Sequence, residues 1–251
     1  MVFALSVRRA AATVVAMVGL RPTAMFVVLF PMLGLAVAGT PAKPARARPI
    51  TVAVIGDSLA SDLGRGMERL YRGTRNIRVA KQTRYATGLI RRHRFNWEPR
   101  LRSFARKTRA DIIAVLIGGN DSQSIRVRGR SLPRFSRSWI AEYRRRVARF
   151  MAILRRTRAK IHWVGLPPVR SADMSRRYRA INRIFRSEAQ RQGIGYVSLW
   201  KTFTDGSGTY TSFGWSLRGV PRQLRQNDGM HFTEAGKLSL AAHVSRAIGL
   251  L

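Results

Sequence analysis

The chain has 251 residues, with 47 Lys plus Arg against 12 Asp plus Glu, no Cys and 45% hydrophobic residues. That length and apolar share support one well-buried core and exclude wholesale disorder, and the lack of Cys excludes disulfide frameworks, thiol nucleophiles and Cys-based metal centres. The net charge of +35 favours anionic partners without naming one, and because the Arg are spread over nearly the whole chain, a solvated basic surface is its plainest meaning.

Residues 1–38 hold Arg8, Arg9 and Arg21 and no acid, and Thr23 to Ala38 is an apolar run closing on Ala36-Val37-Ala38. This is the pattern of a basic n-region, an h-region and an A-x-A cleavage site. Residues 1–38 are therefore expected to be a signal peptide or, with a run slightly short of the roughly 20 residues of a bilayer-crossing helix, a membrane anchor. The arginines hold the N-terminus inside, which predicts an exported domain, periplasmic or anchored to the outer face of the cytoplasmic membrane. With +35 reduced by those three arginines, the remainder is still +32. Residues 39–49 contain Pro41, Pro44, Pro49, Lys43, Arg46 and Arg48 and read as an extended linker, so the folded domain is expected over 50–251.

From Ile50 onward, short apolar runs alternate with helical patterns. Strands are expected at Ile50–Ile55, Ile77–Lys81, Asp111–Ile117, Ile161–Leu166 and Tyr196–Leu199, mostly continuous runs of the kind that parallel strands covered on both faces require. Helices are expected from Leu59 to Tyr71, through Ile140, Tyr143, Val147, Phe150 and Leu154, through Met174, Tyr178, Ile181 and Phe185, and from Glu234 to about Ile248. No period of 20 to 50 residues recurs, which removes solenoids and propellers. Alternating β and α units with right-handed crossovers predict an α/β fold: a three-layer α/β/α sandwich around a five-stranded parallel sheet, whose ligands bind beyond the carboxyl ends of the strands.

Three short blocks fall at such places. Gly56-Asp57-Ser58-Leu59 follows the first strand: Gly56 permits a sharp turn and Ser58 lies at a helix N-terminus, whose free N–H groups favour developing negative charge. A Ser there also serves as an ordinary helix cap. Gly118-Gly119-Asn120-Asp121 follows the third strand, and Asn120 offers an uncharged amide donor for an oxyanion, although a Gly-Asn turn needs no chemistry. Asn227-Asp228-Gly229-Met230-His231 precedes the last helix, and the three-residue spacing lets Asp228 reach back to orient one nitrogen of His231. His93, His162 and His243 have no comparable setting.

In this order and spacing, over about Ile50 to Ala247, the blocks resemble the SGNH/GDSL hydrolase superfamily, most closely a branch of bacterial envelope proteins whose domain is of unknown function. The resemblance implies a flavodoxin-like SGNH fold with Ser58 as nucleophile, His231 as general base, Asp228 as its orienting partner and Asn120 as an oxyanion donor. The family's remaining oxyanion glycine falls on Gly88 in Ala86-Thr87-Gly88-Leu89. It implies a serine esterase that needs no metal or cofactor and works through an acyl-enzyme on acyl or acetyl esters, and export at +32 makes an O-acetylated envelope glycan the first expected substrate and a lipid ester the second. Phe95 and Trp97 in the loop after the second strand, and Tyr210, Phe213 and Trp215 near the C-terminus, are the aromatics expected to wall the pocket; ordinary packing is the alternative. An envelope acyltransferase or a weakly catalytic binding protein on the same fold stays open. A nucleic-acid-binding basic protein is the remote alternative, against which export and the lack of a recognition motif argue, so no nucleic acid is expected as partner. The oligomeric state is not legible.

Overall fold

The computed structural model describes residues 48–251; the expected signal or anchor segment and all but the last two residues of the expected linker lie outside the described residues. In chain order the elements are β1 (Ile50–Gly56), α1 (Ser58–Leu70), β2 (Ile77–Thr83), α2 (Trp97–Lys107), β3 (Ile112–Leu116), β4 (Ile125–Val127), β5 (Arg130–Leu132), α3 (Arg137–Leu154), β6 (Lys160–Val164), α4 (Ala172–Arg191), β7 (Gly195–Val197), β8 (Phe213–Trp215), β9 (Pro221–Gln223) and α5 (Glu234–Ala247). A 3₁₀ turn at Lys201–Phe203 follows β7.

β1, β2, β3, β6 and β7 form one parallel sheet in the order β2-β1-β3-β6-β7, with Val52 of β1 opposite Val79 of β2 and Ile112 of β3. The chain first steps from β1 outward to β2 and then crosses back to β3. Right-handed crossovers turn that reversal into helices on opposite faces: α1 and α5 pack together on one, and α2, α3 and α4 lie side by side on the other. The same reversal opens a crevice between the carboxyl ends of β1 and β3. This is the three-layer α/β/α sandwich expected from the sequence.

Burial explains the continuous apolar runs, because Val52 to Ile55 and Ile113 to Leu116 are covered on both faces. An aromatic chain fills the layer between the sheet and α2, α3 and α4. Trp97 lies 6.1 Å from Phe150, Phe150 lies 5.4 Å from Trp163, and Trp163 lies 5.0 Å from Phe185. Each such side chain contributes about 1.5–3 kcal/mol on full burial.

The structure departs from the sequence reading in several places. Ile140 does not face the core of α3 but is 37% exposed, while its neighbour Trp139 is fully buried, stacked 4.6 Å from Tyr143 and donating its indole N–H to the Gln123 carbonyl. The apolar stripe therefore runs 139, 143, 147 and 150/151. The segment opening at Trp97 is a helix rather than a loop. Asn96 caps it by accepting from Glu98 N–H, and Pro99 falls in the first turn, where a missing N–H costs nothing. Two small antiparallel hairpins, β4–β5 and β8–β9, were not anticipated from alternation.

Candidate active site

Gly56 ends β1 with a φ of +149°, and a Cβ there would lie 1.9 Å from the Leu116 carbonyl oxygen, so only glycine brings β1 this close to β3 while turning into α1. Asp57, not Ser58, is the helix cap: its Oδ1 accepts from Leu59 N–H at 3.1 Å. The Ser58 hydroxyl is thereby released from capping. It lies 2.9 Å from Nε2 of His231, whose Nδ1 lies 2.6 Å from Oδ2 of Asp228. Donation from Nδ1–H to the carboxylate leaves Nε2 as the acceptor for the Ser58 proton.

The loop before α5 gives the two oxygens of Asp228 separate tasks. Oδ1 accepts from the N–H groups of Met230 and His231, which shapes the turn, and Oδ2 is left for the imidazole. Although partial burial alone would raise its pKa, these hydrogen bonds hold Asp228 at about 2. The loop closes on itself through Gln226 N–H to the His231 carbonyl and Thr233 N–H to the Leu224 carbonyl, and Thr233 caps α5.

Three buried carboxylates tie the site loops together. Asp57 Oδ2 accepts from Gly118 and Gly119 N–H at 3.0 and 3.1 Å, joining the turn after β1 to the loop after β3. Asp121 Oδ2 accepts from Leu89 N–H at 2.8 Å and from Tyr143 O–H at 3.0 Å, and its Oδ1 accepts from Ile90 N–H, joining that loop to the one after β2. Asp62, one turn along α1 from Ser58, accepts from Phe232 N–H at 3.1 Å and so fastens the histidine loop to the helix that begins at Ser58. Burial pushes all three carboxyls up, Asp57 to about 7, against the N–H groups that each accepts.

Gly88 lies where these ties converge. A Cβ at Gly88 would meet Asp121 Oδ1 at 2.1 Å, and Asn120 Nδ2 donates to the Thr87 carbonyl at 2.9 Å. The backbone N–H groups of Ser58 and Gly88 have no acceptor among the described residues, and neither does the second Nδ2 hydrogen of Asn120. The arrangement thus offers a hydroxyl with a proton acceptor behind it and three uncommitted N–H donors on adjoining loops.

The pocket aromatics expected from the sequence fare differently. Trp97 is 5% exposed, edge-on to Phe95 at 5.0 Å, with its indole N–H on Thr87 Oγ1. It is a core residue supporting the Gly88 loop, not a pocket wall, because the unexpected α2 turns it inward. Tyr210 is half-buried behind the histidine loop beside Arg225, and Phe213 and Trp215 stand exposed on β8. Tyr85, passed over in the sequence, is 55% exposed and places its hydroxyl 3.0 Å from Ser61 Oγ, one helical turn from Ser58.

Arg225 also went unmarked among so many arginines. It is fully buried, donates from Nη2 to the Pro168 carbonyl at 2.5 Å, and lays its guanidinium 4.1 Å from the Phe232 ring centre. Burial lowers its pKa to about 10, against the pull of Tyr210 and Asp228, so it stays cationic and pins the histidine loop to the segment after β6. The other histidines are structural or remote from the site: His243 bonds Thr202 and the Ser198 carbonyl, and His162 is half-buried in β6.

A family model described as "Protein of unknown function (DUF459)" matches residues 51–247. Among curated proteins none matches this chain by sequence. Solved structures share its fold at low identity. An acetyl xylan esterase, AlAXEase, matches at 12% identity and a TM-score of 0.59, covering 79% of this chain and 100% of its own. A GDSL-like lipase from Bacteroides thetaiotaomicron matches at 13% identity and a TM-score of 0.57, covering 81% and 91%. TesA matches at 19% identity and a TM-score of 0.54, covering 80% and 99%. The fold is that of the SGNH/GDSL hydrolases.

Proposed function

Since the chain belongs to the DUF459 family, whose description names no reaction, we propose from its site that it is a serine esterase cleaving acyl esters, O-acetyl esters of an envelope glycan in the first place. The observation that carries this is the relay Ser58 Oγ to His231 Nε2 at 2.9 Å and His231 Nδ1 to Asp228 Oδ2 at 2.6 Å. As Ser58 Oγ attacks the ester carbonyl, His231 Nε2 takes its proton, and Asp228 stabilises the imidazolium. The tetrahedral oxyanion rests on Ser58 N–H, Gly88 N–H and Asn120 Nδ2–H, each such donor being worth about 10²–10³-fold in rate. His231 returns the proton to the leaving alcohol, water repeats the attack on the acyl-enzyme, and the acid departs with Ser58 restored.

The acetyl-glycan substrate is favoured by the likeness to an acetyl xylan esterase and by the basic surface, which suits anionic envelope polymers. Placement outside the cytoplasmic membrane, free after cleavage behind Ala38 or tethered by residues 1–38, belongs to the same proposal. The test is acetate release from O-acetylated glycan and from p-nitrophenyl acetate by wild type and Ser58→Ala. Release by wild type that the variant loses supports the reading, and equal release by both refutes it.

A further inference from the structure

Half of the exposed large apolar side chains among the described residues fall within eight positions of the β8–β9 hairpin: Phe213 is 59% exposed, Trp215 71%, Leu217 49% and Val220 41%. Their exposure follows from the pleat. Phe213 and Trp215 are two apart and share the outer face of β8, whereas Gly214 between them faces the domain, where a Cβ would meet Leu224 Cδ1 at 2.7 Å. The hairpin therefore turns its bare backbone inward and its aromatics outward, the inverse of an ordinary half-buried sheet. The turn is closed by Ser216 N–H to the Val220 carbonyl and Gly219 N–H to the Ser216 carbonyl, which holds Leu217 at the tip.

The hairpin itself carries charge of one sign. Residues 206–227 contain no acid, and Arg218 and Arg222 flank the apolar side chains at the turn and on β9. A second copy of the chain is a poor occupant, because a two-fold contact would bring Arg218 and Arg222 against themselves between molecules of net charge +35. An anionic bilayer interface meets both demands: the rings and aliphatic side chains enter the headgroup–acyl boundary while the guanidinium groups stay with the phosphates.

We propose that the β8–β9 hairpin docks on an anionic lipid surface through Phe213, Trp215, Leu217 and Val220, with Arg218 and Arg222 on the headgroups. The contact bears on the site, since the Gln223 carbonyl accepts from Thr233 Oγ1 at 2.6 Å and the chain runs from Leu224 straight into the Asp228–His231 loop. It does not rest on the esterase reading.

Trp215 is a built-in reporter. Trp97, Trp139 and Trp163 are buried, Trp200 is half-buried, and residues 1–47 contain no Trp, so that segment adds no emission of its own and Trp215 is the exposed reporter. The experiment records emission of the full chain with vesicles of phosphatidylcholine alone or mixed with phosphatidylglycerol, each with and without brominated acyl chains. With phosphatidylglycerol, a blue shift and quenching by the brominated chains are expected, both several-fold weaker on phosphatidylcholine. Trp215→Phe should abolish the quenched component with circular dichroism unchanged, and Leu217→Asp or Arg222→Glu should weaken quenching at Trp215. Ser58→Ala should behave as wild type, which separates this inference from the fate of the serine mechanism. Emission unmoved on both vesicle types would overturn the proposal. A shift that grows with protein concentration without lipid would assign the patch to self-association and overturn it equally, as would a shift produced by soluble ester alone.

Discussion

Gly88→Ala tests the oxyanion assignment through a single methyl group. The new Cβ would lie 2.1 Å from Asp121 Oδ1 and 2.8 Å from its Cγ, about 1 Å inside a tolerable contact. Asp121 has nowhere to go, because Leu89 N–H, Ile90 N–H and Tyr143 O–H hold its carboxylate from three sides. The loop must yield instead, carrying Gly88 N–H outward by about 1 Å, enough to turn a hydrogen bond near 2.9 Å into none. Loss of one oxyanion donor is worth about 2.7–4 kcal/mol, or 10²–10³-fold in kcat, with little change in KM because the donor acts on charge that develops only in the transition state. The overpacking itself should cost roughly 1–3 kcal/mol of stability. Steady-state kinetics on p-nitrophenyl acetate, with a urea midpoint to show that the variant is folded, measure both effects. A folded Gly88→Ala with kcat within about threefold of wild type would refute the assignment of Gly88 N–H to the oxyanion.

Asp57 gives a pH dependence whose sign is fixed. Burial raises its folded carboxyl from 3.8 to about 7, so the folded state holds a proton that the unfolded chain releases. Its contribution to stability is therefore full below pH 3.8 and is lost as pH rises through about 7. Compared with Asp57→Asn, wild type should lose up to about 4 kcal/mol across that window by urea unfolding, and an advantage that grew with pH would contradict the argument. Asp228→Asn keeps its carbonyl oxygen on the Met230 and His231 N–H groups and turns an NH2 toward His231 Nδ1, which favours the wrong tautomer and should lower kcat toward the roughly 10⁴-fold loss of the serine-protease template. Because the wild-type carboxyl sits at about 2, activity between pH 4 and 8 should show no inflection from Asp228 itself. Trp97→Ala should cost about 3–5 kcal/mol as a core deletion, whereas Trp215→Ala should stay within about 0.5 kcal/mol, and thermal unfolding of the pair checks the reassignment of these two aromatics.

The sheet was legible because parallel strands buried on both faces leave uninterrupted apolar runs, so each of the five expected strands overlaps an observed one, with ends within two residues. The three blocks that meet at the candidate site were legible because ligands on such sheets bind beyond the carboxyl ends of the strands, where two of the blocks lie, and the third joins them through His231. What escaped was set by contacts distant in sequence. Asp62 and Phe232 are 170 positions apart, and nothing local marks that carboxylate as the anchor of the histidine loop beyond an acid on the apolar face of Leu59, Leu63 and Met67. Arg225 looks like any other arginine until its guanidinium is found between Phe232 and the Pro168 carbonyl. α2 was hidden by Pro99 and by four basic residues that mask its apolar positions Trp97, Leu101 and Phe104, and that omission turned Trp97 into an expected pocket wall. Ser58 also reads as a cap in the sequence, and the Asp57 hydrogen bond to Leu59 N–H gives that task to the residue before it.

The central claim is that Ser58 is a nucleophile activated by His231, and a fluorophosphonate probe tests it most directly because it phosphonylates only a serine so activated. Incubation of the full-length protein, followed by peptide mass spectrometry, should place a single adduct on Ser58. Labelling should fall steeply in His231→Ala and vanish in Ser58→Ala. No adduct on the folded wild type, or an adduct that survives in Ser58→Ala, would contradict the account.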